Sequence, residues 1–179
     1  MTEVQEAPEP HAPEEPRVAA GLRDRFGDAV LEVTEAFGEL TVVVARDRIV
    51  DVCTHLRDNP ELRFDLLSDL TAVDWLPMER EPRFQVVYHL LSIPHNERLR
   101  LKIGVDEDDP VAPSVVGVWP TANWLEREVY DMYGIRFANH PDLRRILMPD
   151  DWPTHPLRKD VPLGEEAVEF SQNVHPQEP

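Results

Sequence analysis

The 179-residue sequence has little cysteine and little glycine. Its one cysteine, Cys53, excludes an internal disulfide and any all-cysteine metal or iron–sulfur site built from this chain alone. None of its seven glycines falls into a GxGxxG or GxxxxGKS/T pattern, whose backbone N–H groups cradle nucleotide phosphates. The sequence therefore predicts neither a disulfide framework nor a common nucleotide-binding loop.

Long apolar runs are missing as well. No stretch approaches the ~18 consecutive apolar residues that a membrane-spanning helix requires. The first residues show no basic segment followed by an apolar one, so a secretory signal is not predicted. Together with the single cysteine, these features lead us to expect a reduced, cytoplasmic protein with room for one domain.

Positive charge is scarce, since 18 Lys and Arg residues face 35 Asp and Glu, for a formal net charge of −17 at pH 7. Residues 1–16 carry five glutamates and residues 163–179 carry four, and neither segment has a Lys or Arg. The remaining residues, 17–162, hold 26 acids and 18 bases. An excess of acid over the whole chain argues against nonspecific binding to nucleic acid or to anionic lipid.

Composition divides the chain into four segments. Residues 1–16 combine four prolines with the glutamates and are predicted to form a disordered arm, which is either a solvated tail or a docking arm. Residues 17–134 are predicted to form the folded domain, residues 135–162 an extended strap, and residues 163–179 an acidic, flexible tail.

The domain, residues 17–134, mixes helical and strand periodicities, which predicts an α+β fold with two layers, helices on a mixed sheet. A short helix over residues 18–26 is expected to end at Gly27. Two β-branched runs, residues 30–34 and 40–45, are predicted to form a hairpin.

The middle of the domain predicts one helix and a second hairpin. Asp47 is a candidate N-cap for a helix whose apolar stripe includes Cys53, so this thiol is expected in the core rather than in a reactive site. Residues 62–76 are ambiguous between strand and helix. Residues 84–93 are apolar on both faces, which predicts a strand covered on both sides, and residues 98–105 alternate as its hairpin partner.

A further short helix is predicted to begin at Asn123 and to end at Gly134. Glu126 stands three residues after Asn123, as in a capping box. Arg127 and Asp131 have the i,i+4 spacing of a surface ion pair.

The strap, residues 135–162, loses this periodicity and contains five prolines, charges of alternating sign and isolated apolar side chains. Such a segment is more apolar than a solvated linker that makes no contacts, and it is too irregular to form a core of its own. We expect it to lie across a partner protein, with its apolar side chains in pockets and its arginines on partner carboxylates.

A metal site is one chemical alternative for this part of the chain, with His140, Asp142, Asp151 and His155 as candidate ligands. Their spacing matches no compact ligand motif, and prolines lie between them. The metal site is therefore not the preferred interpretation.

Acid–base chemistry is a second alternative, because carboxylates occur in pairs at Glu126 and Glu128 and at Asp150 and Asp151. Neighbours one or two positions apart point away from each other on a helix, which argues against a shared site.

Anion binding is a third alternative, through Arg144 with Arg145 and Arg158 with Lys159. Aspartates stand between these bases, which favours salt bridges between proteins over a nucleic-acid site.

Four runs carry a family resemblance: residues 126–135 (EREVYDMYGI), 140–147 (HPDLRRIL), 148–152 (MPDDW) and 155–160 (HPLRKD). This sequence resembles the signature of the C subunit of respiratory NADH:quinone oxidoreductase, the 30 kDa subunit family of complex I. The resemblance implies partner-interface roles for the following residues: Glu126, Arg127, Glu128, Asp131, Tyr133, Gly134, His140, Asp142, Arg144, Arg145, Asp150, Asp151, Trp152, His155, Arg158, Lys159 and Asp160.

The resemblance also implies a function. The family member is a structural subunit of the peripheral arm of a proton-translocating enzyme that passes electrons from NADH through iron–sulfur clusters to quinone. In that family the chain holds no cofactor and no catalytic residue, and FMN, the clusters and quinone are bound by other subunits. The implied partners are the 49 kDa-type quinone-site subunit and neighbouring iron–sulfur subunits, at the cytoplasmic face of the bacterial membrane.

Two rival interpretations remain at this point. One is the equivalent subunit of a membrane-bound hydrogenase or formate hydrogenlyase, which shares the fold and the partner geometry that the resemblance implies. The other is a stand-alone acidic enzyme that uses Glu126, Asp131, His140 or His155, although these residues have no recognised catalytic spacing.

Overall fold

The computed structural model describes residues 16–162. The predicted acidic arm, apart from Pro16, and the predicted tail over residues 163–179 therefore lie outside the described residues. No helix within 16–162 is both long and apolar enough to cross a membrane.

Three α-helices and seven strands make up the described part of the chain. The helices are α1 (Arg17–Phe26), α2 (Ile49–Asp58) and α3 (Ala122–Tyr133). The strands are β1 (Val30–Ala36), β2 (Glu39–Val44), β3 (Leu66–Asp74), β4 (Phe84–Ser92), β5 (Glu97–Val105), β6 (Val111–Pro113) and β7 (Arg136–Ala138).

Five of the strands form a mixed sheet in the order β1-β2-β5-β4-β3. Both predicted hairpins, β1 with β2 and β4 with β5, are antiparallel, and β2 pairs with β5 in parallel. The segment that was ambiguous by sequence, residues 62–76, contains β3, an edge strand that pairs with β4 in antiparallel orientation. The predicted α+β class with a mixed sheet is confirmed.

The core lies between the helices and one face of this sheet. On that face the cross-strand pairs Val86–Ile103 and Tyr88–Leu101 are fully buried, because their side chains alternate inward along β4 and β5. Cys53 is buried in the same core, as its position on the apolar stripe of α2 predicts.

The opposite face of β4 is less covered than its apolar sequence suggests. Val87 is buried there, but the outward neighbours Gln85, His89 and Leu91 are only half-buried. The prediction of a strand covered on both sides is therefore wrong for the described residues, since the helices pack on the other face.

Two glycines end helices as predicted. Gly27 follows α1 with φ +52°, and Gly134 follows α3 with φ +78° while its N–H donates to the carbonyl of Tyr130. A positive φ strains residues that carry a Cβ, which explains glycine at both positions.

The predicted N-caps, in contrast, are wrong. Asp47 lies within a 3₁₀ turn, Arg46–Arg48, and α2 begins without a side-chain cap. Asn123 lies inside α3, which also starts without a side-chain cap. The preference for Asp or Asn at a cap is worth only about 1 kcal/mol, so tertiary packing can shift a helix start.

Candidate interaction surface

The strap starts inside the domain. Its second to fourth residues form β7, which pairs in parallel with β6. Ile135 and Phe137 are buried in the core, at 0% and 3% exposure. The first part of the strap is thus held by backbone pairing and burial within this chain, and only the later part runs over the surface.

The carboxylate of Asp131, on the last turns of α3, is the first anchor of the later strap. One oxygen, Oδ2, accepts backbone N–H bonds from Ile146, Leu147 and Met148 at 3.0, 2.8 and 2.9 Å. The other oxygen accepts from a guanidinium N–H of Arg145 at 2.6 Å. Burial alone would raise the pKa of this carboxyl, but these donors hold it below its ordinary value, so Asp131 carries a negative charge.

Arg145 links this anchor to the next turn of the strap. Its guanidinium also donates to the carbonyls of Trp152 and Thr154, at 2.9 and 3.2 Å. The predicted ion pair between Arg127 and Asp131 is absent from the structure. Arg127 instead donates to the carbonyls of Arg144 and Arg145, both at 3.1 Å, so both side chains of the helix bind the strap.

His155 fastens the strap to the end of α3. Its Nδ1 donates to the Asp131 carbonyl at 2.9 Å, and its ring packs on Gly134. A Cβ at residue 134 would stand 2.7 Å from a ring carbon of His155. Gly134 therefore has two reasons to lack a side chain, its left-handed φ and this contact.

The second anchor is a buried ion pair between Asp74 and Arg83, at the two ends of the β3–β4 connection. The two side chains are 0% and 7% exposed and form a bidentate contact with N–O distances of 3.0 and 2.8 Å. Asp74 also accepts the backbone N–H of Lys159 at 2.9 Å, and Arg83 pairs with Asp160 at 3.1 Å. The end of the strap is thereby tied to the sheet.

Glu126 is a third buried carboxylate, and it faces the core rather than a partner. It accepts a bond from the Ser114 hydroxyl at 2.6 Å and one from the Val115 N–H at 2.7 Å. Burial raises its pKa to about 7, although both hydrogen bonds act in the opposite direction. The predicted capping box is wrong because this side chain holds the chain before α3 instead.

The signature residues thus separate into internal and external groups. Glu126, Arg127 and Asp131 are buried within the chain, and the fork of Arg145 is used inside it rather than on a partner carboxylate. Tyr133, Gly134, His140, Arg145, Trp152, His155 and Arg158 are half-buried. The exposed members are Glu128, Asp142, Arg144, Asp150, Asp151, Lys159 and Asp160.

Three exposed apolar side chains lie on or beside the strap, and two of them, Leu147 and Leu157, belong to the apolar side chains that the sequence predicted as anchors in partner pockets, whereas Trp124 was not singled out. Leu147, Leu157 and Trp124 are 61%, 46% and 60% exposed. Trp124 lies under the guanidinium of Arg127, 5.0 Å from its ring centroid. The Asp74–Arg83 pair was also missed. The signal for it was opposite charges at the ends of one hairpin connection.

The metal-site alternative finds no support in this geometry. Within residues 16–162, no three His, Cys, Asp or Glu side chains lie close enough together to hold a metal ion. The rings of His140 and His155 are engaged by backbone groups, of Asn123 and Asp142 for the first and of Asp131 for the second. The contacts described above fix the path of the strap over the surface of the domain.

We expect Gly134→Ala to lower the free energy of unfolding by about 2 kcal/mol, because a left-handed φ and a contact with the His155 ring are both strained by a Cβ. Thermal denaturation measures the loss. Gly21→Ala is the control, since Gly21 lies inside α1 and, apart from its chain neighbours and the backbone of its own helix, no heavy atom stands within 4 Å of the position that its Cβ would take. This change should be neutral or stabilising. Equal stability of the two variants would contradict this account.

Comparisons with known proteins point to one family. A family model described as the respiratory-chain NADH dehydrogenase 30 kDa subunit matches residues 42–167, more than half of the chain. The NADH-quinone oxidoreductase C subunit of Roseiflexus sp. (strain RS-1) is 57% identical over 85% of this chain and 86% of the relative. The corresponding C subunit of Geobacter sulfurreducens is 54% identical over 82% of this chain and 89% of the relative.

Two solved structures share the fold. A trypsin-resistant fragment of Nqo5 superposes with a TM-score of 0.62 and 34% identity, over 72% of this chain and all of the fragment. A chain of a membrane-bound sulfane sulfur reductase, an archaeal respiratory membrane complex, superposes with a TM-score of 0.70 over 90% of this chain and 94% of its own. At 23% identity, the second likeness concerns the fold alone.

Proposed function

Because the chain belongs to the 30 kDa subunit family of respiratory-chain NADH dehydrogenase, we propose that it acts as the C subunit of an NADH:quinone oxidoreductase. It is a structural subunit of the peripheral arm of this proton-translocating enzyme. Its contribution to activity is to hold neighbouring subunits in place, while electron transfer from NADH to quinone is a property of the assembly.

The observation that carries this function is the strap held by Asp131 and by Asp74 with Arg83. Three buried charged groups are used to fix an irregular surface segment, and the side chains left outside include Leu147 and Leu157. Apolar side chains that are exposed on a fixed backbone can serve as anchors in a protein–protein interface. A surface of this kind suits a subunit that binds other subunits.

Membership of the family supports a proposal on the partners and the location. We propose that the strap contacts the 49 kDa-type quinone-site subunit, and that the domain lies beside the iron–sulfur subunits at the cytoplasmic face of the membrane. In this proposal FMN, the clusters and quinone are all bound by other chains. No observation on the described residues favours the hydrogenase-type complex or a stand-alone enzyme over this assignment.

The proposal is tested by placing a charge on the strap. We expect Leu147→Glu to lower the amount of tagged chain that co-purifies with an NADH-oxidising, quinone-reducing complex by at least about tenfold, because an anchor truncated or charged in an interface costs about 2 kcal/mol or more. The measurement is a native pull-down from membranes in mild detergent, with NADH:quinone activity of the eluate.

Leu31→Glu provides the matched control. Leu31 is 62% exposed, almost the same as Leu147, but lies on β1 and is not part of the strap. This variant should assemble like the wild-type chain. Full assembly of Leu147→Glu would contradict the proposed surface. Recovery of the chain as a lone ~20 kDa species that never joins a larger particle would contradict the function itself.

A further inference from the structure

The segment from Arg145 to Thr154, named the docking loop, is closed by contacts within this chain. We propose that Asp131 is a positioning residue that holds the docking loop in its binding shape in the free subunit, so that Leu147 is presented to an apolar pocket of a neighbouring subunit before that subunit arrives. This inference rests on the proposed function and adds that the binding surface is already in its binding shape before the partner subunit binds.

The carboxylate of Asp131 holds the beginning of the docking loop directly and its end through Arg145. The beginning of the loop is fixed by three consecutive N–H groups on a single carboxylate oxygen of Asp131. Its end is fixed by the carbonyls of Trp152 and Thr154 on the guanidinium of Arg145, which itself pairs with Asp131. The loop is therefore closed without any contribution from a second chain.

The carboxylate that closes the loop belongs to the rigid domain. Asp131 is fully buried on α3, a helix that packs on β3, so the domain is the reference point of the docking loop. A buried carboxylate is costly unless its charge is balanced by donors, and in this case those donors all come from the docking loop. Opening the loop would break all four of these bonds to Asp131 at once, which favours the closed form without any partner.

The closed loop displays the side chain of Leu147. The N–H groups on both sides of Leu147 and its own N–H are bound to Asp131, while its side chain is 61% exposed. The backbone at this position is thus fixed and the apolar side chain points outward. A backbone fixed in this way loses little further conformational freedom on binding, which raises affinity by reducing the entropic cost of association. The occupant that fits an isolated leucine is an apolar pocket.

Hydrogen–deuterium exchange on the isolated full-length chain tests whether the docking loop is formed before assembly. In the wild-type chain, we expect the amides of residues 146–148 to exchange at least about tenfold more slowly than the same sequence in an unfolded chain. Asp131→Asn should abolish most of this protection. The asparagine side chain has one acceptor oxygen and one NH₂ donor, so it cannot accept hydrogen bonds both from the three N–H groups and from Arg145. Asp142→Asn, an exposed carboxylate in the same strap, is the control and should leave protection unchanged.

Two outcomes would overturn the inference. One is exchange of residues 146–148 at unfolded rates in the wild-type chain, and the other is unchanged protection in Asp131→Asn. If Asp131→Asn does not fold, Arg145→Lys takes its place, because lysine keeps the charge beside Asp131 but lacks the planar fork for two carbonyls. That variant should speed exchange at the Trp152 amide, which donates to Pro149 inside the loop, and unchanged exchange there would equally overturn the inference.

The assembly assay separates this inference from the function on which it rests. Asp131→Asn should lower co-purification with the complex while the amides of β4 and β5 stay as protected as in the wild type. If the docking loop proves open in the free chain but Leu147→Glu still blocks assembly, preorganisation is refuted and the proposed function stands. If the loop is closed but Leu147→Glu assembles normally, the proposed surface fails and Asp131 has only a structural role.

Discussion

The Arg83→Met variant is expected to lose about 3–5 kcal/mol of unfolding free energy, because it removes one partner of a buried ion pair and leaves the other charge in place. The side chain of Asp74 is 0% exposed and keeps only the N–H groups of Leu76 and Lys159 once the guanidinium is gone. Methionine retains most of the volume and the packing of the arginine stem, so the loss reports the charge. Chemical denaturation of the isolated chain measures it.

Two further variants decide whether the pair causes this effect. Arg98→Met, a change at an exposed arginine on β5, should alter stability by less than about 0.5 kcal/mol. In the double variant Asp74→Asn with Arg83→Met no buried charge is stranded, so we expect it to be more stable than Arg83→Met alone. A double variant as unstable as the sum of its single changes would show that the two side chains act independently.

The second large effect is a dependence of stability on pH that comes from Glu126. Its pKa rises from the ordinary 4.5 to about 7 in the folded chain. Between these values the folded state binds a proton that the unfolded state has released, so stability falls as the pH rises from about 4.5 to about 7 and then levels off. The full change amounts to about 3 kcal/mol, since each tenfold change in proton affinity corresponds to 1.36 kcal/mol.

Glu126→Gln should remove this slope. The glutamine carbonyl still accepts from Val115, and its NH₂ group donates to the Ser114 hydroxyl, so both contacts survive without a charge. We expect the variant to be more stable than the wild type at pH 8 and about equally stable at pH 4.5, with unfolding curves recorded at each pH. Glu128→Gln, an exposed carboxylate on the same helix, should keep the wild-type slope, and an unchanged slope in Glu126→Gln would contradict the assignment.

The strands and their hairpins could be predicted because their determinants are local. The alternation of residues 98–105, the β-branched runs before and after Gly38, and the glycines that follow α1 and α3 are all set within a few positions of the chain. The cap predictions at Asp47 and Asn123 rested on equally local signals, but they were wrong. A cap is a weak preference, and both α2 and α3 begin without a side-chain cap.

The candidate site was predictable only in its outline. Loss of periodicity and five prolines identify a strap over residues 135–162, and its residues carry the family resemblance. Spacing on a helix suggested that Arg127 and Asp131 pair with each other, but each binds the strap instead. Helical spacing predicts that two side chains can reach each other. It does not predict which groups of a later segment, such as the strap, pack against the same side chains in the folded protein.

The sequence by itself determined the class of the fold, the position of the strap and the family to which the chain belongs. Only the tertiary structure decided which charges point inward. Asp74, Glu126 and Asp131 look like surface carboxylates in a chain with 35 acids, yet each is buried against donors that include groups 9 to 85 positions away in sequence. The reason is physical, because a carboxylate can leave water only where the folded backbone brings enough N–H and guanidinium donors to one point.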